Sequence, residues 1–292
     1  YYKPNSDQAL GGSIRYFSLG QIDFTDVNGN PLNSVNPSEF ALDVAYSRKL
    51  SEDFSGGIAL RYIHSNLTGG IPVPGGISSK AGNSVAADIA VYYQKDVEVG
   101  KKPAVFSWGI AITNIGSKIS YTETGDKDFI PINLRLGPSL KLKLNDYNEL
   151  AFNLDFNKLL VPTPPIYSTD SLGQDFIIFG KDPKVGVAAG IFQSFSDAPD
   201  GFKEELKEIN IAGGLEYWYD KQFAFRTGYF FESAQKGNRK YFTLGAGLRY
   251  SVFGLDFSYL IPTQQRNPLE NTLRFSLSFK FGDTGKKEEG GE

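Results

Sequence analysis

The chain of 292 residues contains no cysteine, no methionine, one histidine and two tryptophans. Without cysteine there is no disulfide scaffold, no thiolate metal site and no cysteine nucleophile, and a single histidine removes every multi-histidine metal centre. Basic excess is absent too: 30 Lys and Arg stand against 33 Asp and Glu, a net charge of −3, so the electrostatic footprint of a nucleic-acid protein is missing. No stretch approaches the roughly 20 consecutive apolar residues that a membrane helix needs. These absences do not exclude strands crossing a bilayer, because lipid-facing and interior-facing residues then alternate and dilute one another. The chain opens at Tyr1-Tyr2-Lys3-Pro4, which points to a processed or truncated product.

What is abundant is aromatic and small: 23 Phe, 16 Tyr and 32 Gly. This combination favours β structure. In the run 40–47, Phe40, Leu42, Val44 and Tyr46 alternate with Ala41, Asp43, Ala45 and Ser47, a period of two that places large apolar side chains on one face. Leu150, Phe152, Leu154 and Phe156 repeat the pattern, as do Phe253, Leu255, Phe257 and Tyr259. Leu273, Phe275, Leu277, Phe279 and Phe281 show it most cleanly.

About twelve such runs, each near the ~10 residues of a tilted membrane strand, are predicted at 12–24, 39–50, 54–66, 83–96, 103–116, 132–144, 147–158, 209–220, 222–233, 239–251, 252–261 and 271–281. Their connections alternate between tight turns, near 50–53, 97–102, 145–146, 220–221 and 251–252, and long loops at 25–38, 67–82, 117–131, 159–208, 234–238 and 262–270. An up-and-down barrel with short turns at one rim and long loops at the other produces this alternation, and a Greek-key sandwich does not. Aromatic clusters such as Tyr217-Trp218-Tyr219 with Phe223 and Phe225 across one tight turn, and Tyr250 and Phe253 bracketing another, suit an interfacial girdle; ordinary strand-end aromatics are the alternative.

The segment 159–208 breaks the β pattern with Pro162, Pro164 and Pro165, and 184–196 shows no strand alternation. Asp200 is placed to cap a short helix with Phe202 and Leu206 on one face. A partly helical external element is expected there, covering the rim or meeting a partner.

Catalytic and metal motifs fail their tests. His64 has no serine or cysteine constellation around it. Asp26-Val27-Asn28-Gly29-Asn30-Pro31 opens like a calcium loop, but Pro31 stands where glycine is required and Pro37 where the bidentate glutamate is required, so a turn is the better reading. Gly245-Ala246-Gly247 lies inside a strand, where it serves close strand approach and not phosphate binding. Asn66-Leu67-Thr68 matches a glycosylation sequon only formally. Asp43, Arg61, Asp88, Asp155, Glu216, Arg226, Arg249, Asp256 and Arg274 fall on the non-aromatic strand faces, where a network of ion pairs or a transport pathway would place them.

Several motifs together resemble the PorV family. They are Trp108-Gly109-Ile110-Ala111-Ile112-Thr113-Asn114-Ile115-Gly116, Ile130-Pro131-Ile132-Asn133-Leu134-Arg135-Leu136-Gly137, Gly214-Leu215-Glu216-Tyr217-Trp218-Tyr219, Arg226-Thr227-Gly228-Tyr229-Phe230, Phe257-Ser258-Tyr259-Leu260-Ile261-Pro262 and Asn271-Thr272-Leu273-Arg274-Phe275. The resemblance runs over nearly the whole chain from about residue 12.

It implies an all-β fold: a transmembrane antiparallel up-and-down β-barrel, FadL-like, with fourteen strands expected for the family against about twelve counted here. The barrel would occupy 1–281, the N-terminal plug and first hairpin lying upstream or missing; 159–208 is the long extracellular loop, and 282–292 a disordered periplasmic tail. The implied role is that of a Bacteroidetes outer-membrane carrier in type IX secretion, not an enzyme, with no cofactor and no metal. It would bind the C-terminal domain of secreted cargo leaving a SprA-type translocon and deliver it to the cell-surface attachment complex, within outer-membrane lipid and without nucleic acid. Candidate contacts are Ile71, Pro72, Val73 and Pro74 in one long loop and Phe192, Phe195 and Phe202 in another. The alternatives are a FadL-type transporter of fatty acids or other hydrophobic compounds and, disfavoured by the single histidine, an enzyme acting on lipid A.

Overall fold

The computed structural model describes residues 1–25, 28–67, 69–70, 78–123, 125, 127–264 and 272–281, with Leu32 described by its backbone alone. Thirteen strands form one antiparallel sheet, and short hairpins occupy two of the connections. In chain order the elements are β1 (Tyr2–Asn5), β2 (Gln8–Ser18), β3 (Ile22–Thr25), β4 (Pro31–Val35), β5 (Ser38–Lys49), β6 (Phe54–Asn66), β7 (Gly82–Val99), β8 (Lys102–Gly116), β9 (Asn133–Lys143), β10 (Asn148–Leu159), β11 (Ile166–Thr169), β12 (Asp175–Phe179), α1 (Val187–Gln193), α2 (Phe202–Lys207), β13 (Asn210–Tyr219), β14 (Phe223–Phe231), β15 (Lys240–Tyr250), β16 (Phe253–Pro262) and β17 (Leu273–Phe279).

The hydrogen-bonded order is β1-β2-β5-β6-β7-β8-β9-β10-β13-β14-β15-β16-β17, so each strand lies beside its predecessor once the hairpins β3–β4 and β11–β12 are set aside. This is the order of an up-and-down barrel. Strand β1 was invisible to alternation because it is four residues long, and the predicted strand 12–24 divides into β2 and β3. The tail 282–292 lies outside the described residues.

The chain forms two compact units. One comprises Tyr1–Tyr93, Gly109–Leu136 and Asn157–Ile209; the other Gln94–Trp108, Gly137–Phe156 and Asn210–Glu292.

In the first unit the register is strict. Ile14, Leu42, Tyr62 and Val85 stand opposite one another across β2, β5, β6 and β7, all exposed, and Val44 pairs with the equally exposed Leu60. One residue along, on the opposite face, Asp43 is buried, and the Arg61 side chain binds both Asp43 and Asp88, the latter from Nη2 at 3.0 Å. Ser13 Oγ donates to Asp43 at 2.9 Å. Asn114, in the left-handed region at φ 61°, accepts from Arg61 through its side chain, while its backbone N–H donates to Asp88 at 2.7 Å. Asparagine tolerates this conformation better than most residues.

The second unit repeats the polarity. Leu244, Phe257 and Phe275 face one way and exposed; on the other face Arg226 bridges Glu216 and Asp256, and Asp256 also accepts from Arg249 at 2.6 Å. Trp218 belongs to this charged face, which corrects its placement in the aromatic girdle. Alternation sends Tyr217 and Tyr219 one way and Trp218 the other, where its indole N–H donates to Glu216 at 2.7 Å between the guanidinium groups of Arg226 and Arg249. A Cβ on Gly247 would meet Asp256 Oδ1 at 2.7 Å and Arg226 Nη1 at 2.9 Å, so this glycine serves close approach, as its position inside a strand implies.

Rows of exposed aliphatic and aromatic side chains over a face of paired charges have the polarity of a membrane barrel, the reverse of a soluble core. Leu60→Arg is therefore expected to cost about 2–4 kcal/mol in reversible unfolding from lipid vesicles if position 60 lies near the midplane. Arg61→Leu, which strands two carboxylates, is expected to cost about 3–5 kcal/mol in the same measurement.

Candidate partner-binding site

The connection from β10 to β13 is the longest between consecutive strands of the sheet and lies within the first unit. Its base is an apolar cluster in which Ile132 and Leu160 are fully buried, joined by Ile119 and Ile130 from the β8–β9 connection. Val187 and Ile191 of α1 pack on that cluster, and α1 sits so close that a Cβ on Gly190 would run into the Phe129 ring. The absence of strand alternation over 184–196 is thus the signature of a short helix with one buried stripe.

Polar contacts fix the second helix. Lys158, at the end of β10, is buried, and its ammonium binds the carboxylates of Glu205, at 3.0 Å, and Glu208. The other oxygen of Glu205 accepts from the backbone N–H groups of Asp197 and Ala198 at 2.8 and 2.9 Å. Thr163 closes the ring, donating from its hydroxyl to Glu208 at 2.7 Å and from its N–H to Asp197 at 3.1 Å. The predicted cap at Asp200 is not formed. The N-cap is Gly201 at φ 66°, and the polarity is reversed: the Asp200 N–H donates to the Glu204 side chain at 2.7 Å. Left-handed backbone favours glycine there, and Asp200 lies one residue too early to cap.

One cation therefore serves a cluster of three carboxylates: it binds Glu205 and Glu208 directly, and Asp197, which is buried, lies beside them without it. Burial pushes the Asp197 carboxyl above its ordinary value; the negative charges of Glu205 and Glu208 push the same way, against the hydrogen bonds from Thr163. The excess of negative charge in this clasp makes ionisation of Asp197 more costly than in water.

On this support the predicted contact residues are displayed. Phe192 is 77% and Phe202 75% exposed. Phe195 is half exposed, its ring 6.0 Å from the Lys158 ammonium, so it partly roofs the clasp. Ile71, Pro72, Val73 and Pro74 lie outside the described residues.

The long connection also contains a hairpin that period-two alternation does not predict. Strands β11 and β12 form a hairpin, Tyr167 opposite Ile177 and Ser168 opposite Phe176, with a turn in which the Asp170 side chain accepts from the N–H groups of Leu172 and Gln174. Ile166, Tyr167, Leu172, Phe176, Ile178 and Phe179 are all exposed, so the hairpin is apolar on both faces. The signal was present in Asp175-Phe176-Ile177-Ile178-Phe179 between Gly173 and Gly180; five residues without apolar–polar alternation do not announce a strand. His64 is a strand residue whose Nδ1 lies 2.8 Å from the Asn83 side chain, with its ring 5.0 Å from Phe40.

The family model described as type IX secretion system protein PorV matches residues 1–166. The chain belongs to the PorV family. It is accordingly an outer-membrane β-barrel protein of type IX secretion, with strand order and polarity as expected for that class. No curated protein matches the sequence. Solved structures with some similarity are the toluene transporter TodX of Pseudomonas putida, represented twice, at 10% identity over 94% of this chain and 77% of that one with a TM-score of 0.47, and the copper transporter OprC, at 9% identity over 89% and 43% with a TM-score of 0.33. At these scores neither protein's cargo transfers to this PorV-family chain.

Lys158→Met strands Glu205 and Glu208 and is expected to remove about 3–5 kcal/mol of local stability, read as faster amide exchange in α1 and α2. Asp197 gives the pH dependence. Because its folded pKa is raised, the native clasp binds a proton that the open form releases, so exchange protection declines as pH rises from the ordinary aspartate value through the raised one and is flat above it. Asp197→Asn is expected to abolish that decline.

Proposed function

We propose that this protein is a carrier of type IX secretion that binds the C-terminal domain of a secreted protein as it leaves the translocon and hands it to the surface attachment machinery. No bond is made or broken in such a step. The requirement is a scaffold anchored in the membrane and an apolar surface held rigid outside it, so that little ordering entropy is lost on binding. The carrying observation is the exposure of Phe192 and Phe202 on two short helices whose opposite sides are fixed by the Leu160 cluster and the Lys158 clasp. Exposed rings on a rigid base are the usual anchors of an interface. The β11–β12 hairpin adds apolar surface and strand edges, the two means by which an extended or β-rich partner is held. Family membership supports the same reading.

The test is direct binding of a purified cargo C-terminal domain to the barrel in nanodiscs. Phe192→Asp combined with Phe202→Asp is expected to weaken it at least about thirtyfold, the scale of two interface anchors, with the barrel's thermal unfolding unchanged. Undiminished binding by the double variant, or no binding by the parent protein to a folded domain, would remove the reading.

A further inference from the structure

A second feature of the first unit stands apart from the cargo surface. A cavity of about 840 Å³ opens on the charged face of β2, β5 and β6 beneath the β8–β9 connection. That volume lies within the range of small-molecule sites. Its walls are apolar and aromatic, supplied by Phe17, Ala41 and Ile63 from the strands and by Ile119, Tyr121 and Phe129 from the connection. Ile119 and Ile130 anchor this connection in the buried cluster, so the wall is preformed.

The charges of the cavity are unequal. Arg61, on its floor, is bound by Asp43 and Asp88, and Arg15, mostly exposed at one side, reaches Asp43 at 3.5 Å, so those four groups cancel. Glu39 and Asp128 also line the cavity, and neither has a basic side chain in ion-pair range among the described residues. Lys118, its ammonium 4.1 Å from the centre of the Phe129 ring, is not part of the lining, where both arginines are engaged and the two charges without an ion-pair partner are acidic. Glu39 is the better placed carboxylate. Ser65, which is 1% exposed, donates to one of its oxygens, and Tyr121 donates to Ser65 in turn at 2.9 Å, so the acid that lines the cavity is oriented by a short relay. Lys118 over Phe129 shows that an aromatic wall here already accommodates a cation on its face.

We infer that this cavity is a binding site for an amphiphilic organic cation, an amine or quaternary ammonium on an apolar body, with the head at Glu39 and the body along Ile63, Ile119 and Phe129. The charge balance selects against the carboxylate-headed counterpart. An anionic head would lie against Glu39 and Asp128, and on the floor it would find only an Arg61 already shared by two aspartates.

The full chain in nanodiscs is titrated with 4-phenylbutylamine and, separately, 4-phenylbutyrate, both freely soluble, followed by ligand-observed NMR with empty nanodiscs subtracted. The amine is expected to bind saturably and at least about tenfold more tightly than the carboxylate. Glu39→Gln, which retains an acceptor for Ser65, is expected to reduce amine affinity about tenfold, the worth of a hydrogen bond to a charged group. Ala41→Trp, which fills the cavity, should abolish binding. Equal or tighter binding of the carboxylate would overturn the inference in favour of a fatty-acid type of ligand. Absence of saturable amine binding, or affinity unchanged in Glu39→Gln, would overturn it outright. Thermal unfolding of each variant confirms that it is folded, and Glu39→Gln decides alone if Ala41→Trp is not.

Discussion

The structure depends on charges finding partners on one face of the sheet while the other face carries rows of apolar side chains. Arg61 between Asp43 and Asp88 in one unit, and Arg226 between Glu216 and Asp256 in the other, are the same solution to one problem. Strands that bury carboxylates must supply a guanidinium within hydrogen-bond reach, because an unpaired charge away from water costs more than most packing contributes. Arginine suits this role better than lysine, since its planar fork serves two carboxylates at once. With the charges paired inward, Leu42, Val44, Leu60 and Phe275 are left outward, a disposition that water penalises and lipid does not. Trp218, held between Arg226 and Arg249, belongs to the same economy of charge.

The Lys158 clasp obeys a different balance. It lies where the sheet gives way to the long connection, and its single cation meets two carboxylates, with a third, Asp197, held by Thr163 alongside. Glu205 is satisfied by lysine and two backbone N–H groups, Glu208 by lysine and a threonine hydroxyl, and Asp197 by a backbone N–H with a tendency to hold a proton. A connection of this length would ordinarily be mobile. Here it presents Phe192 and Phe202 on a fixed base, which is what a binding surface requires and a mere strand connection does not.

The cavity beneath the β8–β9 connection uses the side chains that the networks leave over. Glu39 is on the same face of β5 as Asp43 and Asp128 stands in the β8–β9 connection, neither paired with Arg61, and the aromatic wall supplied by the connection gives these carboxylates an apolar neighbour. Charged floor, acidic side and greasy wall are thus consequences of where the arginines run out.

Much of this was legible before any coordinates. Period-two alternation located the main strands, often to within a residue or two, because every large residue must choose a face and the faces differ in polarity: β6 at 54–66 agrees at both ends, and β10 and β16 nearly so. Strict alternation of short and long connections carried the topology. The same alternation assigned Asp43, Arg61 and Asp88 to one face, since a face is a local property of a strand. Which charge pairs with which is not. Arg61 meets Asp43 and Asp88 through strand register, and Asn114 joins them from 53 residues away in sequence. The Lys158 clasp, the hairpin of β11 and β12 and the Gly201 cap were invisible for a related reason: short elements lack the repeats that make a period readable, and their stability comes from contacts with residues tens of positions away. Sequence determined the polarity of each strand face; only the tertiary structure decided which charges were neutralised, and hence which residues were left over to bind something else.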